Sequence, residues 1–294
     1  MNTPHQTGSE PLPSVLPVAQ RPSRDQRKGR YVPESMRHPG KMLPALAARV
    51  IEAFTTPGEL VLDPMCGIGT TLVEAIHLGR SAAGMEYESD FAHLTLRNLQ
   101  LARTQGASGT ARLVCGDARN VATVYADLAG EVALVLTSPP YGSHTHGQVT
   151  AGRKNQSGKV EKAHYRYSTD PGNLAHRSIG ELLEAFGHIL AGCGELLRPF
   201  GVVAITVRPI RVKGELIDLP GHVAATAEEA GLTLTDRLVA LLCGLRHGGL
   251  VNRASFFQML EARRARDKGI PACAIAHEDL LVFQRATDLA RRRR

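Results

Sequence analysis

From Met42 onward, apolar residues either recur with the period of a helix or run together as short strands. Continuous apolar runs rich in β-branched residues are typical of strands buried on both faces of a parallel sheet. Strands that alternate with helices predict a doubly wound α/β fold around a seven-stranded, mainly parallel sheet. The predicted helices are Leu43–Phe54, Thr70–Leu78, Phe91–Gln105, Ile179–Leu190 and His222–Ala230. The predicted strands are Glu59–Leu62, Ala82–Glu86, Ala111–Cys115, Val132–Leu136, Gly201–Thr206, Leu232–Leu242 and Leu280–Gln284.

Three stretches fall outside this pattern. Residues 1–30 are rich in Pro, Ser, Gln and Arg without an apolar period, which predicts a disordered basic arm. Residues 142–178 lack periodicity and form one large insertion in a single domain spanning residues 31–287, and residues 288–294 form a basic tail. One domain with an insertion fits the pattern better than two domains.

Composition narrows the class of protein. The net charge of +7 over 294 residues favours contact with polyanions such as nucleic acid, although many ordinary proteins share it. Without a signal peptide or a long uncharged apolar stretch, the chain is expected to be cytoplasmic and to make no membrane contact. The five cysteines are scattered, which argues against a disulfide framework or a zinc site. His144 and His146 have no nearby Cys or carboxylate partner, so no metal is predicted.

Chemistry-bearing residues follow three successive predicted strands. Gly67 and Gly69 lie between the first strand and a helix, where backbone amides can approach a ligand, although such glycine pairs also form plain turns. Glu86 ends the next strand, where an acid can hold ribose hydroxyls, and Asp117 follows the third, where it can accept from an adenine amino group. Either acid could instead cap a helix. Together the three strand ends favour a nucleoside-containing cofactor.

The strand Val132–Leu136 is followed by Thr137, Ser138, two prolines and Tyr141. Pro139 and Pro140 donate no backbone hydrogen bond and therefore end the strand abruptly. This is either an ordinary strand exit or a rigid shelf at the carboxyl end of a strand, where open α/β sheets bind ligands.

These segments resemble those of a known family. Asp63–Thr71 resembles the S-adenosylmethionine-binding loop of amino-methyltransferases, and Thr137–Tyr141 resembles the catalytic loop of DNA methyltransferases that modify an exocyclic nitrogen, especially N4 of cytosine. His38–Met42 resembles the family's segment that helps cover the cofactor. The resemblance extends from His38 to about Arg208 and implies a Rossmann-like class I methyltransferase fold with S-adenosylmethionine as cofactor.

The resemblance also implies roles for individual residues. The Ser138 hydroxyl and the Pro139 carbonyl would accept the protons of the target amino group, Pro140 would help to hold that carbonyl rigidly, and Tyr141 would stack on the base after it rotates out of the duplex. The expected catalytic residues are Ser138, Pro139, Pro140 and Tyr141. The expected cofactor-binding residues are His38, Lys41, Asp63, Gly67, Gly69, Thr70, Thr71, Glu86 and Asp117.

The implied function is site-specific methylation of cytosine N4 in DNA, as in restriction-modification, with adenine N6 as a near variant. Methylation at cytosine C5 is disfavoured because that chemistry needs a thiolate after the first proline, where this chain has Pro140. One alternative is a tRNA guanine-N2 methyltransferase, although that group usually has Asp or Asn in place of Ser138 and a separate RNA-binding domain. Another alternative is a nucleic-acid-binding protein that keeps the fold without catalysis.

DNA is the expected partner and RNA the alternative. Basic residues and aromatics interleave in the insertion, which suits phosphate contact and stacking, although a solvated loop is also consistent with them. These residues are Arg153, Lys154, Lys159, Lys162, His164, Tyr165, Arg166, Tyr167 and Arg177. Arg208 is expected to contact a phosphate or the base, or else to form a fold-stabilising ion pair. No separate target-recognition domain is evident, so the sequence predicts neither a recognition site nor an oligomeric state.

Overall fold

The computed structural model of the protein describes residues 12–141, 148–154, 160–165, 167–212, 215–251, 253 and 256–292. Its strands are β1 (Val15–Leu16), β2 (Leu60–Asp63), β3 (Ser81–Glu86), β4 (Ala111–Cys115), β5 (Val132–Thr137), β6 (Gln148–Lys154), β7 (Val160–Tyr165), β8 (Leu197–Val207), β9 (Ile210–Val212), β10 (Glu215–Ile217), β11 (Leu232–Leu241), β12 (Gly244–Arg246), β13 (Gly249–Val251) and β14 (His277–Arg285). Its α-helices are α1 (Ser23–Arg27), α2 (Pro44–Phe54), α3 (Thr70–His77), α4 (Ser89–Thr104), α5 (Val121–Val124), α6 (Ile179–Leu196), α7 (Leu219–Glu229), α8 (Phe256–Asp267) and α9 (Ala286–Arg292).

Within the described residues, eight strands form one sheet in the order β1-β11-β14-β8-β5-β2-β3-β4. All neighbours in this sheet are parallel except β14, which is antiparallel to both β8 and β11. The prediction of a doubly wound, mainly parallel α/β fold is confirmed, with one strand more than predicted. The carboxyl ends of the parallel strands and the amino end of β14 lie along one edge, which we call the carboxyl edge.

The core lies on both faces of the sheet because the central strands are apolar throughout. Every residue of β5 is buried, as expected for a strand covered on both faces. One face packs against α2, α3 and α4, and the other packs against α6 and α7. Leu46, Leu72 and Leu99 belong to the first cluster, and Phe186 and Val223 to the second.

The prediction of a disordered arm over residues 1–30 is wrong for residues 12–30, and residues 1–11 lie outside the described residues. Strand β1 pairs in parallel with β11, and Leu16 is 1% exposed. The Arg27 guanidinium is buried and donates to the Met42 carbonyl. Arg30 forms an ion pair with Glu74, whose carboxylate also accepts from the Tyr31 hydroxyl at 2.6 Å. A few apolar and charged anchors fix this segment, and their spacing is too irregular to predict a helix or strand.

The predicted basic tail over residues 288–294 is also folded as far as the structure describes it. Residues Ala286–Arg292 form α9, and Asp288 is 1% exposed. Its carboxylate accepts from the Phe200 backbone N–H at 2.9 Å and from Arg285 Nε at 3.0 Å. The first turn of α9 is therefore attached to the start of β8 by a buried acid.

Three two-stranded hairpins leave the sheet at the carboxyl edge, and the sequence pattern predicted none of them. Hairpin β6–β7 follows β5, hairpin β9–β10 follows β8, and hairpin β12–β13 follows β11. The first lies in the predicted insertion, whose residues 142–147, 155–159 and 166 lie outside the described residues. Among the helices that the structure describes, none has the length and apolarity needed to cross a membrane.

Candidate active site

The loop between β2 and α3 carries Gly67 and Gly69, which the sequence predicts to bind a cofactor. We call this glycine loop the cradle. Gly67 has φ of 57° and Gly69 has φ of 77°, a left-handed region that side chains other than glycine rarely adopt. A Cβ added to Gly67 would lie 2.8 Å from His38 Nε2, so a side chain has no room there. Thr95 Oγ1 donates to the Gly67 carbonyl at 2.8 Å and fixes the loop against α4.

Glu86, at the end of β3, is attached to this loop. Its carboxylate accepts from the Gly67 backbone N–H at 2.7 Å and from the Glu88 backbone N–H at 2.9 Å. Burial raises the pKa of Glu86 to about 7. The cost of removing the ionised carboxylate from water exceeds the stabilisation that its two backbone hydrogen bonds provide. Near neutral pH a nearby cation would therefore shift this carboxyl towards its ionised form.

Asp63 ends β2 and connects two loops of the site. Its carboxylate accepts from Thr71 Oγ1 on α3 at 2.7 Å, from Thr137 Oγ1 at the end of β5 at 2.9 Å and from the Met65 backbone N–H at 3.2 Å. The side chain is buried, and this burial raises its pKa to about 6. One carboxylate thus holds the start of α3 and the residue before Ser138 in a fixed relation.

Asp117 has a local role in the structure. It accepts from the backbone N–H of Arg119 at 2.9 Å, which caps a short 3₁₀ helix, and its carboxylate also binds the Arg119 guanidinium. This contact lowers the pKa of Asp117 below its ordinary value. The capping role that the sequence left open is therefore real, and an additional contact with an adenine amino group stays a prediction.

Of the remaining expected cofactor-binding residues, His38 lies against the glycine loop, whereas Lys41 and Thr70 make contacts with residues that precede α2. The buried His38 ring packs against Phe91, with ring centroids 4.3 Å apart, and against Tyr167 at 5.5 Å. Burial lowers the pKa of His38 to about 3, so the imidazole is neutral at physiological pH. Lys41 instead donates to the carbonyls of Met36, at 3.2 Å, and His38. Thr70, the first residue of α3, accepts from Arg27 Nη2 at 3.5 Å.

A carboxylate that the sequence analysis missed holds the segment after hairpin β6–β7 over the cradle. Glu88 is buried and accepts from the Ser168 backbone N–H at 2.9 Å, from Ser168 Oγ at 2.8 Å and from Asn173 Nδ2. These contacts place Tyr167 against His38. The last part of the predicted insertion is therefore packed against the glycine loop.

The Thr137–Tyr141 segment leaves β5 at the carboxyl edge. Thr137 and Pro139 are buried, whereas Ser138, Pro140 and Tyr141 are half-buried and keep some surface towards solvent. The order of the sheet places β5 beside β2, so the expected catalytic loop is adjacent to the glycine loop. The structure thus brings the two groups of predicted site residues to one place.

Two residues from distant parts of the chain, Arg208 after β8 and Glu278 in β14, lie near Tyr141. The Arg208 guanidinium lies 5.2 Å from the centroid of its ring, and the Glu278 carboxylate is close enough to its hydroxyl to raise the pKa of the phenol. Burial raises the pKa values of both Tyr141 and Glu278, so the phenol is neutral. Glu278 is opposite Ala240 in the sheet, and Asp279 is opposite Val207. The sequence predicted either a ligand contact or an ion pair for Arg208, and it gave no signal for Glu278.

Among the residues that the structure describes, no group of three potential ligands could hold a metal ion. His144 and His146 lie outside the described residues.

The first third of the chain matches a known protein family. Residues 7–97 match the model of the N6/N4 DNA methylase family. This segment is therefore similar to DNA methylases that act on an exocyclic amino nitrogen. The methylase segment contains His38, the glycine loop and Glu86, and it ends before the Thr137–Tyr141 loop.

Two curated relatives match parts of the chain. The DNA adenine methyltransferase YhdJ of Escherichia coli is 38% identical over 76 residues, 26% of each chain. A tRNA (guanine(10)-N2)-dimethyltransferase of Methanocaldococcus jannaschii is 36% identical over 110 residues, 37% of this chain and 31% of that protein. The chain therefore spans no more than about a third of the length of either relative.

The crystal structure of TrmN from Thermus thermophilus is 18% identical in sequence, with a TM-score of 0.49, and the match covers 88% of this chain and 53% of that one.

Proposed function

We propose that the protein is an S-adenosylmethionine-dependent methyltransferase that methylates an exocyclic amino group of a nucleobase, N4 of cytosine in DNA. One observation carries the proposal: the Asp63 carboxylate binds both Thr71, behind the glycine loop, and Thr137, next to Ser138. A cofactor held by the first loop and a base held by the second would be adjacent. Such fixed proximity is what a direct transfer between two bound molecules requires.

The residues of the cradle fit S-adenosylmethionine, which supplies a methyl group on a positively charged sulfur. Two left-handed glycines shape the loop at the start of α3, and their own N–H groups donate to Glu86 and to the Cys66 carbonyl. The carboxylate of the ligand would be bound by the N-terminus of α3, which attracts anions. Glu86, with its pKa near 7, would hold the ribose hydroxyls, and the cationic ligand would favour its ionised form. Asp117 would accept from the adenine amino group in exchange for one of its contacts with the Arg119 guanidinium.

The chemistry of the target favours a rigid acceptor loop. The amino nitrogen of cytosine is a poor nucleophile because its lone pair is delocalised into the ring. The Ser138 hydroxyl and the Pro139 carbonyl would accept its two N–H groups and orient the lone pair towards the methyl carbon. The N–C bond would form as the S–C bond breaks, the sulfur would become a neutral thioether, and the nitrogen would release one proton to solvent. Pro139 is buried, and an error of about 1 Å in such positioning can cost about a hundredfold in rate.

Tyr141 is proposed to stack on the base, and two substitutions separate the ring from the hydroxyl. We expect Tyr141→Ala to weaken DNA binding by about 1–3 kcal/mol, because the stacking surface is lost. Tyr141→Phe keeps the ring under Arg208 and removes only the hydroxyl near Glu278, so it should retain most of the methylation rate. Methylation kinetics and DNA affinity of both variants test this. If Tyr141→Phe were as impaired as Tyr141→Ala, the hydroxyl and Glu278 would carry the function instead of the ring.

The similarity to two relatives suggests two alternative substrates, DNA and RNA. The Ser-Pro-Pro-Tyr loop and the N6/N4 methylase match support DNA, and the similarity to an adenine methyltransferase keeps adenine N6 as the near variant. The similarity to a tRNA guanine-N2 methyltransferase over 110 residues supports the RNA alternative. Ser138, at the position where the RNA group usually has Asp or Asn, favours DNA.

The test is a count of methylated nucleosides in digested genomic DNA and total RNA from cells with and without the gene. We expect N4-methylcytosine in DNA to disappear with the gene. Loss of a methylated guanosine with unchanged DNA would contradict the proposal and support the RNA alternative. If saturating S-adenosylmethionine gave the purified protein no thermal stabilisation, the non-catalytic binding protein would be favoured.

A further inference from the structure

Hairpin β12–β13 presents two leucines to solvent at the carboxyl edge. Leu245 is 52% exposed and Leu250 is 63% exposed, and the two are directly opposite each other in the strand pairing. The turn between the strands consists of His247 and Gly248, with φ values of 48° and 75°. Two successive positive φ values are the mark of a tight type I′ turn, which makes a short and stiff hairpin.

The base of this hairpin is connected to the surroundings of Tyr141 through β11 and β14. Glu278, whose carboxylate is near the Tyr141 hydroxyl, is opposite Ala240 near the end of β11. Gly244 begins the hairpin four residues after Ala240. At about 3.3 Å per residue, the hairpin therefore starts within about 13 Å of Ala240. The exposed leucines are thus on the hairpin that follows β11, and β11 is the neighbour of β14, which carries Glu278.

The N-terminal segment braces the same hairpin. Arg253 Nε donates to the Ala19 carbonyl at 2.8 Å, and its Nη2 donates to the Gln20 carbonyl at 3.0 Å. The Leu245 backbone N–H donates to Gln20 Oε1 at 3.2 Å. Because Ala19 is buried and follows β1, these contacts attach the hairpin to the sheet itself. A hairpin fixed in this way can keep its position when it contacts another molecule.

The charge around the leucines suits a polyanion. Arg246 and His247 are exposed at the tip, directly beside Leu245. Phosphate contacts position a protein on nucleic acid, and apolar side chains between base steps unstack them. We propose that hairpin β12–β13 is a wedge that enters double-stranded DNA, where Leu245 and Leu250 hold the step open beside the base that rotates towards Tyr141. This inference rests on the proposed function and assigns the hairpin its part in opening the duplex.

A comparison of two physical forms of the same DNA tests the wedge without knowledge of the recognition sequence. Amplified genomic DNA, which carries no methyl groups, serves as substrate either native or heat-denatured and rapidly cooled. We expect the double variant Leu245→Ser, Leu250→Ser to methylate native DNA at least about tenfold more slowly, because a single-stranded base needs no unstacking from a duplex. Its rate on denatured DNA should stay within about twofold of the wild-type rate. Both leucines are exposed, so the variant should keep the wild-type Tm.

The control is Leu96→Ser, which removes a leucine of similar exposure, 51%, from α4. We expect this variant to match the wild type on both DNA forms. Equal losses on native and denatured DNA, or no loss on either, would overturn the wedge and leave the proposed function intact. A wild-type protein that methylates neither form would overturn the proposed function and the wedge together.

Discussion

Ser138→Ala is expected to slow methylation by about 10²–10³ while S-adenosylmethionine binding persists, since the loss of one positioned polar partner at a transition state typically has this cost. The residues on either side, Thr137 and Pro139, are buried, and Thr137 Oγ1 donates to Asp63 at 2.9 Å. The backbone of the loop is therefore fixed independently of the Ser138 hydroxyl. Single-turnover kinetics measure the methylation rate, and calorimetry measures the affinity for S-adenosylmethionine separately.

Ser138→Thr is the matched control because it keeps a hydroxyl at the same position. We expect it to be faster than Ser138→Ala, with a similar cofactor affinity. If Ser138→Ala lost cofactor binding, the residue would belong to the cradle and not to the base-binding loop. A wild-type rate in Ser138→Ala would remove the acceptor role altogether.

Asp63→Ala is expected to have the second large effect, on both stability and cofactor binding. The substitution leaves three donors without their acceptor, from Thr71, Thr137 and Met65. At about 1 kcal/mol for each hydrogen bond, the free energy of unfolding should fall by about 2–4 kcal/mol. S-adenosylmethionine affinity should fall at least about tenfold, because the glycine loop loses its attachment to β5. Nucleic-acid affinity should change little.

Asp288→Ala is a matched control for stability. Asp288 is as deeply buried and accepts two hydrogen bonds, but these attach α9 to the start of β8, at the opposite edge of the sheet. We expect a comparable loss of unfolding free energy without a loss of cofactor affinity in the folded protein. An Asp63→Ala variant that is destabilised but binds S-adenosylmethionine normally would show that the link between the loops is merely structural.

The raised pKa of Asp63 makes the free energy of unfolding depend on pH. Burial raises it from 3.8 to about 6, so the folded protein holds this proton more tightly than the unfolded chain does. The stabilisation that comes from this bound proton is therefore complete below pH 3.8 and is lost as the pH rises through about 6, whereas the hydrogen bonds to the carboxylate remain. Asp63→Asn does not titrate, so the difference in unfolding free energy, variant minus wild type, should grow from pH 3.8 to about pH 6 and change little above that. Chemical denaturation at these pH values measures it.

The sequence by itself determined the two loops at the carboxyl edge, every strand of the main sheet except β1, and the helices α2, α3, α4, α6 and α7. It could do so because buried parallel strands are apolar throughout and because glycines and prolines dictate local backbone geometry. Gly67, Gly69 and the Ser138–Tyr141 loop were therefore visible as candidate site residues from their local pattern alone.

Only the tertiary structure decided how distant residues complete these loops. The hydrogen bond from Thr137 to Asp63 requires β2 to lie beside β5, and the proximity of Glu278 to Tyr141 requires β14 to run antiparallel to β8. No local pattern encodes either neighbour, because strand order is set by the packing of the whole core. The same holds for the N-terminal segment, whose order depends on a strand of two residues and the buried Arg27. Local periodicity specifies elements, whereas the partners of single polar side chains follow from how those elements pack.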